Sequence, residues 1–87
     1  MSAEEREKFP PLCPDFVIEL RSRTDSLTSL REKMREYLAS GLRLGWLINP
    51  QQQQVEIYRL NSGVEIINLP ATLSGEDVLP GFVLHLT

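Results

Sequence analysis

The chain is poor in the residues on which many small scaffolds and enzymes depend. Its 87 residues include one cysteine, Cys13, and one histidine, His85. A single cysteine closes no intrachain disulfide, and no cysteine-based zinc site can form around it. A lone histidine near the end of the chain also argues against a histidine-based triad. The five glycines are scattered from Gly41 to Gly81, so no glycine-rich loop cradles a phosphate, and neither a nucleophile elbow nor an HExxH element occurs. Apolar runs are no longer than Phe16-Val17-Ile18 or Trp46-Leu47-Ile48, whereas a membrane span needs roughly 20 residues. Met1 to Lys8 is charged and lacks the apolar stretch of a secretory signal. This cysteine usage fits a reducing compartment, and a cytoplasmic location is the expectation.

What is present describes one small soluble domain. Hydrophobic residues at 41% and charged residues at 24% sit near the globular average, which argues against a disordered chain. At this length a domain buries only about 60–65% of its unfolded surface, so the core is modest. A net charge of -3 disfavours a dedicated nucleic-acid binder, which usually carries a basic excess. The stretch holding Arg21, Arg23 and Arg31 is locally positive, as expected of a solvated helix face and loop.

Along the chain, Ser2 to Lys8 carries a capping box, Ser2 with Glu5, and predicts a short helix that ends at Phe9-Pro10-Pro11. Pro14 to Leu20 predicts a strand rich in aromatic and β-branched residues. Phe16, Ile18 and Leu20 share one face, and Asp15, Val17, Glu19 and Arg21 share the other. Leu27, Leu30, Met34, Tyr37 and Leu38 recur at helical spacing, with Asp25 or Ser26 as N-cap and Gly41 at the C-terminal end. Leu44 to Asn49 predicts a second buried strand, parallel to the first through a right-handed crossover. Gln51 to Gln54 form a turn into a half-exposed strand running from Val55 towards Arg59. Asn61-Ser62-Gly63 turns the chain into a partner strand over Val64 to Leu69. Ala71 to Phe82 reads as a loop before a last apolar segment, Phe82 to Leu86. The expected class is α+β, a strand-helix-strand followed by an antiparallel hairpin, in one domain over residues 1–87.

The chemistry-bearing candidates are Asp15, Glu19 and Lys33. Carboxylates on a strand face beside a helical lysine can hold Mg²⁺, which usually keeps several waters, so two or three carboxylates suffice. The lysine can then orient a water or stabilise charge on a phosphate. The structural alternative is a plain ion pair of Glu19 with Arg21 or Lys33. Other residues have simpler explanations. Trp46 belongs to the core, Cys13 packs as a small hydrophobe, and His85 has no evident partner. Gly75 and Gly81 serve a turn, and Glu76 and Asp77 are solvated loop acids.

The segments CPDFVIELRS, TDSL, EKMREYLASG, RLGWLINP and LSGEDVLPGF occur in that order. Together they resemble a restriction-endonuclease domain family abundant in cyanobacteria, within the PD-(D/E)XK nuclease superfamily. The resemblance runs from about Glu4 to Leu86 and implies a restriction-endonuclease-like core. It also implies Mg²⁺-dependent phosphodiester hydrolysis, with DNA as the partner. Glu19 matches the carboxylate of the (D/E)XK element, but Arg21 stands where its lysine is expected. Lys33 matches the lysine relocated to the following helix, with Tyr37 and Gly41 completing that signature. Asp15 matches the aspartate of the family's second Pro-Asp pair. The resemblance thus assigns Glu19 and Lys33 to catalysis, and Asp15 with Glu19 to the metal.

Relatives carry an upstream Pro-Asp element that supplies another metal ligand, and this chain does not contain it. The expectation is therefore the C-terminal half of the family domain, inactive alone, with weak Mg²⁺ binding. Its first strand would present an exposed edge for pairing or homo-oligomerisation. The alternative is a non-catalytic interaction or remnant domain of the same ancestry.

Overall fold

A computed structural model describes residues 14–87. The expected helix over Ser2–Lys8 and the packing of Cys13 lie outside the described residues. The elements are β1 (Phe16–Leu20), α1 (Leu27–Ala39), β2 (Leu44–Asn49), β3 (Gln54–Arg59), β4 (Glu65–Asn68), β5 (Ala71–Ser74) and β6 (Val83–Leu86). They form a four-stranded sheet in the order β1-β2-β3-β4 and a separate β5-β6 hairpin. The fold is α+β, as expected.

The strand-helix-strand unit is parallel, with Phe16 opposite Leu44 and Leu20 opposite Ile48. Backbone hydrogen bonds close both ends of this register. Leu44 N donates to Asp15 O at 3.1 Å, and Arg21 N donates to Ile48 O at 2.9 Å. Ser26 caps α1 by accepting from Ser29 N, which satisfies one of the orphan first-turn donors. The helix stops where Gly41 takes φ +107°, a conformation that a Cβ disfavours. A Cβ on Gly45 would lie 2.6 Å from Met34 Cε and 2.9 Å from Leu42 Cδ2, so glycine lets α1 approach β2 closely.

Two apolar layers enclose the sheet. On one face Met34, Leu42, Leu47 and Tyr58 pack with the α1 stripe of Leu27, Leu30, Tyr37 and Leu38. On the other, Leu44, Trp46, Ile48, Val55 and Ile57 pack under Leu73, Val78, Leu84 and Leu86. Trp46 is fully buried, with Phe16 edge-on at 4.8 Å and Phe82 stacked at 6.1 Å. These contacts explain why β2 is buried along its whole length.

Two expectations are corrected by this packing. The strand over Val55 to Arg59 is not half-exposed, because Val55 through Tyr58 are all buried. Its polar-looking alternation arises because Glu56 and Tyr58 face the helix. The segment after Pro70 is also not all loop. β5 pairs antiparallel with β6, from Ala71–Leu86 to Ser74–Val83. A four-residue strand is too short for its alternation to stand out locally, and the pairing partner defines it.

Candidate active site

Glu19 lies on the helix-facing side of β1, opposite Leu47 of β2. Its Oε2 accepts from Lys33 Nζ at 3.2 Å and, more weakly, from Tyr37 OH at 3.5 Å. Lys33 and Tyr37 are one helical turn apart on α1, which brings both to the same strand carboxylate. The Glu19 side chain is 18% exposed and that of Lys33 51% exposed, so the pair sits at the mouth of the helix-sheet seam. The hydrogen bond to Glu19 holds the Lys33 ammonium above the ordinary lysine range, against a smaller opposing effect of burial. Lys33 Nζ also lies 6.0 Å from the Tyr37 ring centroid, at the limit of a cation–π contact.

Of the two ion-pair partners open to Glu19, the fold selects Lys33. Arg21 turns away, donating from Nε to Asp25 O and from Nη1 to Asn49 Oδ1, both at 3.3 Å. It thereby closes the turn before α1. Asp25 accepts from Ser22 N at 2.9 Å and Ser22 Oγ at 2.8 Å. The backbone hydrogen bond from Ser22 holds the Asp25 carboxyl below the ordinary range.

Asp15 is not brought to this cluster. It is exposed and stands just before β1, four residues from Glu19, or about 13 Å along an extended strand. Its backbone carbonyl instead anchors the start of β2 through Arg43 N and Leu44 N. Among the described residues, no group of three or more His, Cys, Asp or Glu side chains could hold a metal ion. Glu19 supplies one carboxylate to a hard cation, too few anionic oxygens for a self-contained site.

A buried polar cluster on the other flank of α1 was not apparent in the sequence. Arg31 Nε donates to Glu56 Oε1 and Oε2 at 3.2 and 3.0 Å, and Arg31 Nη2 also donates to Oε2. Tyr58 OH donates to Glu56 Oε1 at 2.7 Å. Burial alone pushes the Glu56 carboxyl upward, but the Arg31 and Tyr58 hydrogen bonds outweigh it and the net shift is downward. Burial, then the bond to Glu56, pushes the Tyr58 phenol well above its ordinary value. A glutamate between Val55 and Ile57 looks like a solvent-facing strand position, and only the arginine on α1 reveals its direction.

The remaining polar candidates are structural. Glu76 is not simply solvated, since Arg59 Nε holds its two oxygens at 3.1 and 2.8 Å. His85 does have a partner, Thr72, whose Oγ1 lies 2.9 Å from Nδ1 across the β5-β6 pair.

Comparison with known proteins places this geometry in context. Residues 2–87 match the family model described as "Uma2: Putative restriction endonuclease". A crystal structure described as a "putative nuclease belonging to DUF820" from Anabaena variabilis aligns with a TM-score of 0.70 at 32% identity. The alignment covers 88% of this chain and 42% of that one, so this chain spans less than half of that protein's length. No curated protein matches the chain. No helix among the described residues is long and apolar enough to cross a membrane.

Proposed function

The chain belongs to the Uma2 family of restriction-endonuclease-like proteins, and from that premise we propose that it carries half of a Mg²⁺-dependent phosphodiesterase site. In this proposal residues 1–87 form the C-terminal half of the nuclease domain, inactive without a further carboxylate. Glu19 is the metal ligand on the central strand, and Lys33 is the group placed towards the scissile phosphate. The observation that carries the proposal is the Lys33–Glu19 contact at 3.2 Å, since the lysine reaches the strand carboxylate from the helix. An Mg²⁺ ion held there would polarise a phosphodiester oxygen, and Lys33 would donate to a phosphate oxygen or orient the attacking water. Asp15, about 13 Å along the strand, would contribute only through a second ion or a water network. DNA is the proposed substrate, from the family relationship.

Among the described residues one side of β1 carries no partner strand, which supports pairing as the route to a complete site. Among the described residues β1 is an edge strand, and Ile18 and Leu20 are 41% and 63% exposed. An exposed apolar edge favours strand addition from a second copy or another polypeptide. The same edge, with one carboxylate at the site, also supports the second proposal, a non-catalytic interaction domain of nuclease ancestry.

A Mn²⁺ titration of the ¹⁵N-labelled chain separates the two. Weak paramagnetic broadening centred on Glu19 and Lys33, ahead of the exposed acids as the ion is raised to millimolar levels, is the expected result. Broadening spread over exposed acids such as Glu65 and Asp77 would remove the metal assignment and leave the interaction domain.

A further inference from the structure

The α1 helix is held to the sheet by one apolar stripe and two flanking ion pairs. Lys33 reaches Glu19 on β1, and Arg31 reaches Glu56 on β3. At 3.6 residues per turn, positions 31 and 33 lie about 200° apart around the helix axis. They therefore leave the helix on opposite flanks of the stripe that contains Met34. Rotation of α1 about its own axis would lift one pair while compressing the other.

The two pairs differ in rigidity. Glu56 is 2% exposed, and it takes hydrogen bonds from Arg31 Nε, Arg31 Nη2 and Tyr58 OH. Bidentate guanidinium–carboxylate contacts of this type restrict both partners in angle as well as distance. Lys33, in contrast, is half exposed and reaches β1 through one hydrogen bond at the end of a flexible stem. The apolar stripe resists rotation through close packing, but burying methyl groups is not directional and does not by itself select one angle. Met34 Cε, close to the position that a Gly45 Cβ would occupy, is the end of a pliable side chain.

We infer that Arg31 and Glu56, backed by Tyr58, are positioning residues that fix the rotation of α1 and so hold Lys33 on Glu19. The inference deepens the proposed half-site and takes its functional meaning from it. Arg31 and Glu56 pair with each other on the flank of α1 away from Glu19, and each acts through the helix. A nuclease lysine displaced by about 1 Å loses much of its effect, since catalytic groups act only within a narrow geometry.

The test compares Glu56→Gln and Arg31→Met with Leu73→Ala, a destabilising change on the opposite face of the sheet. The readout is the set of nuclear Overhauser contacts from the Lys33 ε-methylene to the Glu19 side chain and the Tyr37 ring. The Lys33–Glu19 contact is expected to be lost in Glu56→Gln and Arg31→Met and kept in Leu73→Ala, while the Lys33–Tyr37 contact, internal to α1, is kept in all three and shows that the helix is intact. Retention of the Lys33–Glu19 contact in folded Glu56→Gln or Arg31→Met would overturn the inference, as would its loss in Leu73→Ala. Should both clamp variants unfold, Tyr58→Phe removes only the 2.7 Å hydroxyl bond. A weakening of the Lys33–Glu19 contact is then expected, and an unchanged intensity would overturn the inference. The Mn²⁺ titration on the wild-type chain reports on the metal assignment separately. A lost Lys33–Glu19 contact in the clamp variants with no selective broadening would retain the positioning role and reject the metal.

Discussion

Removing Arg31 should cost more than removing Glu56, although the two form one ion pair. The Arg31 side chain is 38% exposed, and that of Glu56 is 3% exposed. A shallow depression bordered by Arg31, Arg35, Val64 and Ile66 gives the guanidinium its access to water. Arg31→Met therefore strands a buried carboxylate, for which a cost of about 3–5 kcal/mol applies. Glu56→Leu leaves the arginine free to solvate and orphans mainly the Tyr58 hydroxyl, at about 1–3 kcal/mol. A domain of this size has about 4–13 kcal/mol of total stability, so the arginine variant should be close to marginal. The double variant should be more stable than Arg31→Met alone, because it carries no buried charge.

The pH dependence has a defined sign. In the wild type the Glu56 carboxyl lies below its ordinary value of 4.5. Its contribution is thus present above that value and lost as pH falls through the folded pKa. In Arg31→Met burial is opposed only by the Tyr58 hydrogen bond and the Arg35 charge, so the folded pKa rises relative to wild type and that variant gains relative stability on acidification. Urea denaturation followed through the fluorescence of buried Trp46 measures all four chains. A cost for Arg31→Met at neutral pH no larger than that for Glu56→Leu would refute the reasoning. So would a difference between wild type and Arg31→Met that fails to narrow below about pH 4.5.

Three further outcomes are expected. Gly45→Ala should destabilise by about 1–3 kcal/mol through overpacking against Met34, Leu42 and Val17, measured by the same denaturation. Ser26→Ala should cost about 1 kcal/mol and fray the first turn of α1, visible as faster amide exchange at Ser29. Tyr58, whose folded pKa is raised by burial and by Glu56, should make the protein lose stability as pH climbs above 10.0. Tyr58→Phe should remove that alkaline loss in a denaturation series across the same range.

Much of the fold is written in local spacing. The helical repeat of Leu27, Leu30, Met34, Tyr37 and Leu38 marks the face that meets the sheet. Leu44 to Asn49 coincides with β2, because a short apolar run flanked by Gly41 and Pro50 leaves little alternative. The parallel pairing of β1 with β2 follows from a helix of this length between two strands. β5 was not legible, since its pairing with β6 joins segments separated by a turn and has almost no local pattern.

The candidate site divides in the same way. Glu19 and Lys33 stand out as charges beside apolar periodic segments, yet their residue types do not say which cation Glu19 takes. Only the path of the turn before α1, which draws Arg21 onto Asp25 and Asn49, leaves Lys33 as the partner. Glu56 shows the limit most sharply. Alternation along one strand tells which residues share a face, but not whether another element covers that face. The sequence alone determined the periodicities and the order of elements, because these depend on neighbours within a few residues. The tertiary structure decided which charges meet and which are buried, because those contacts join residues 14 to 28 positions apart.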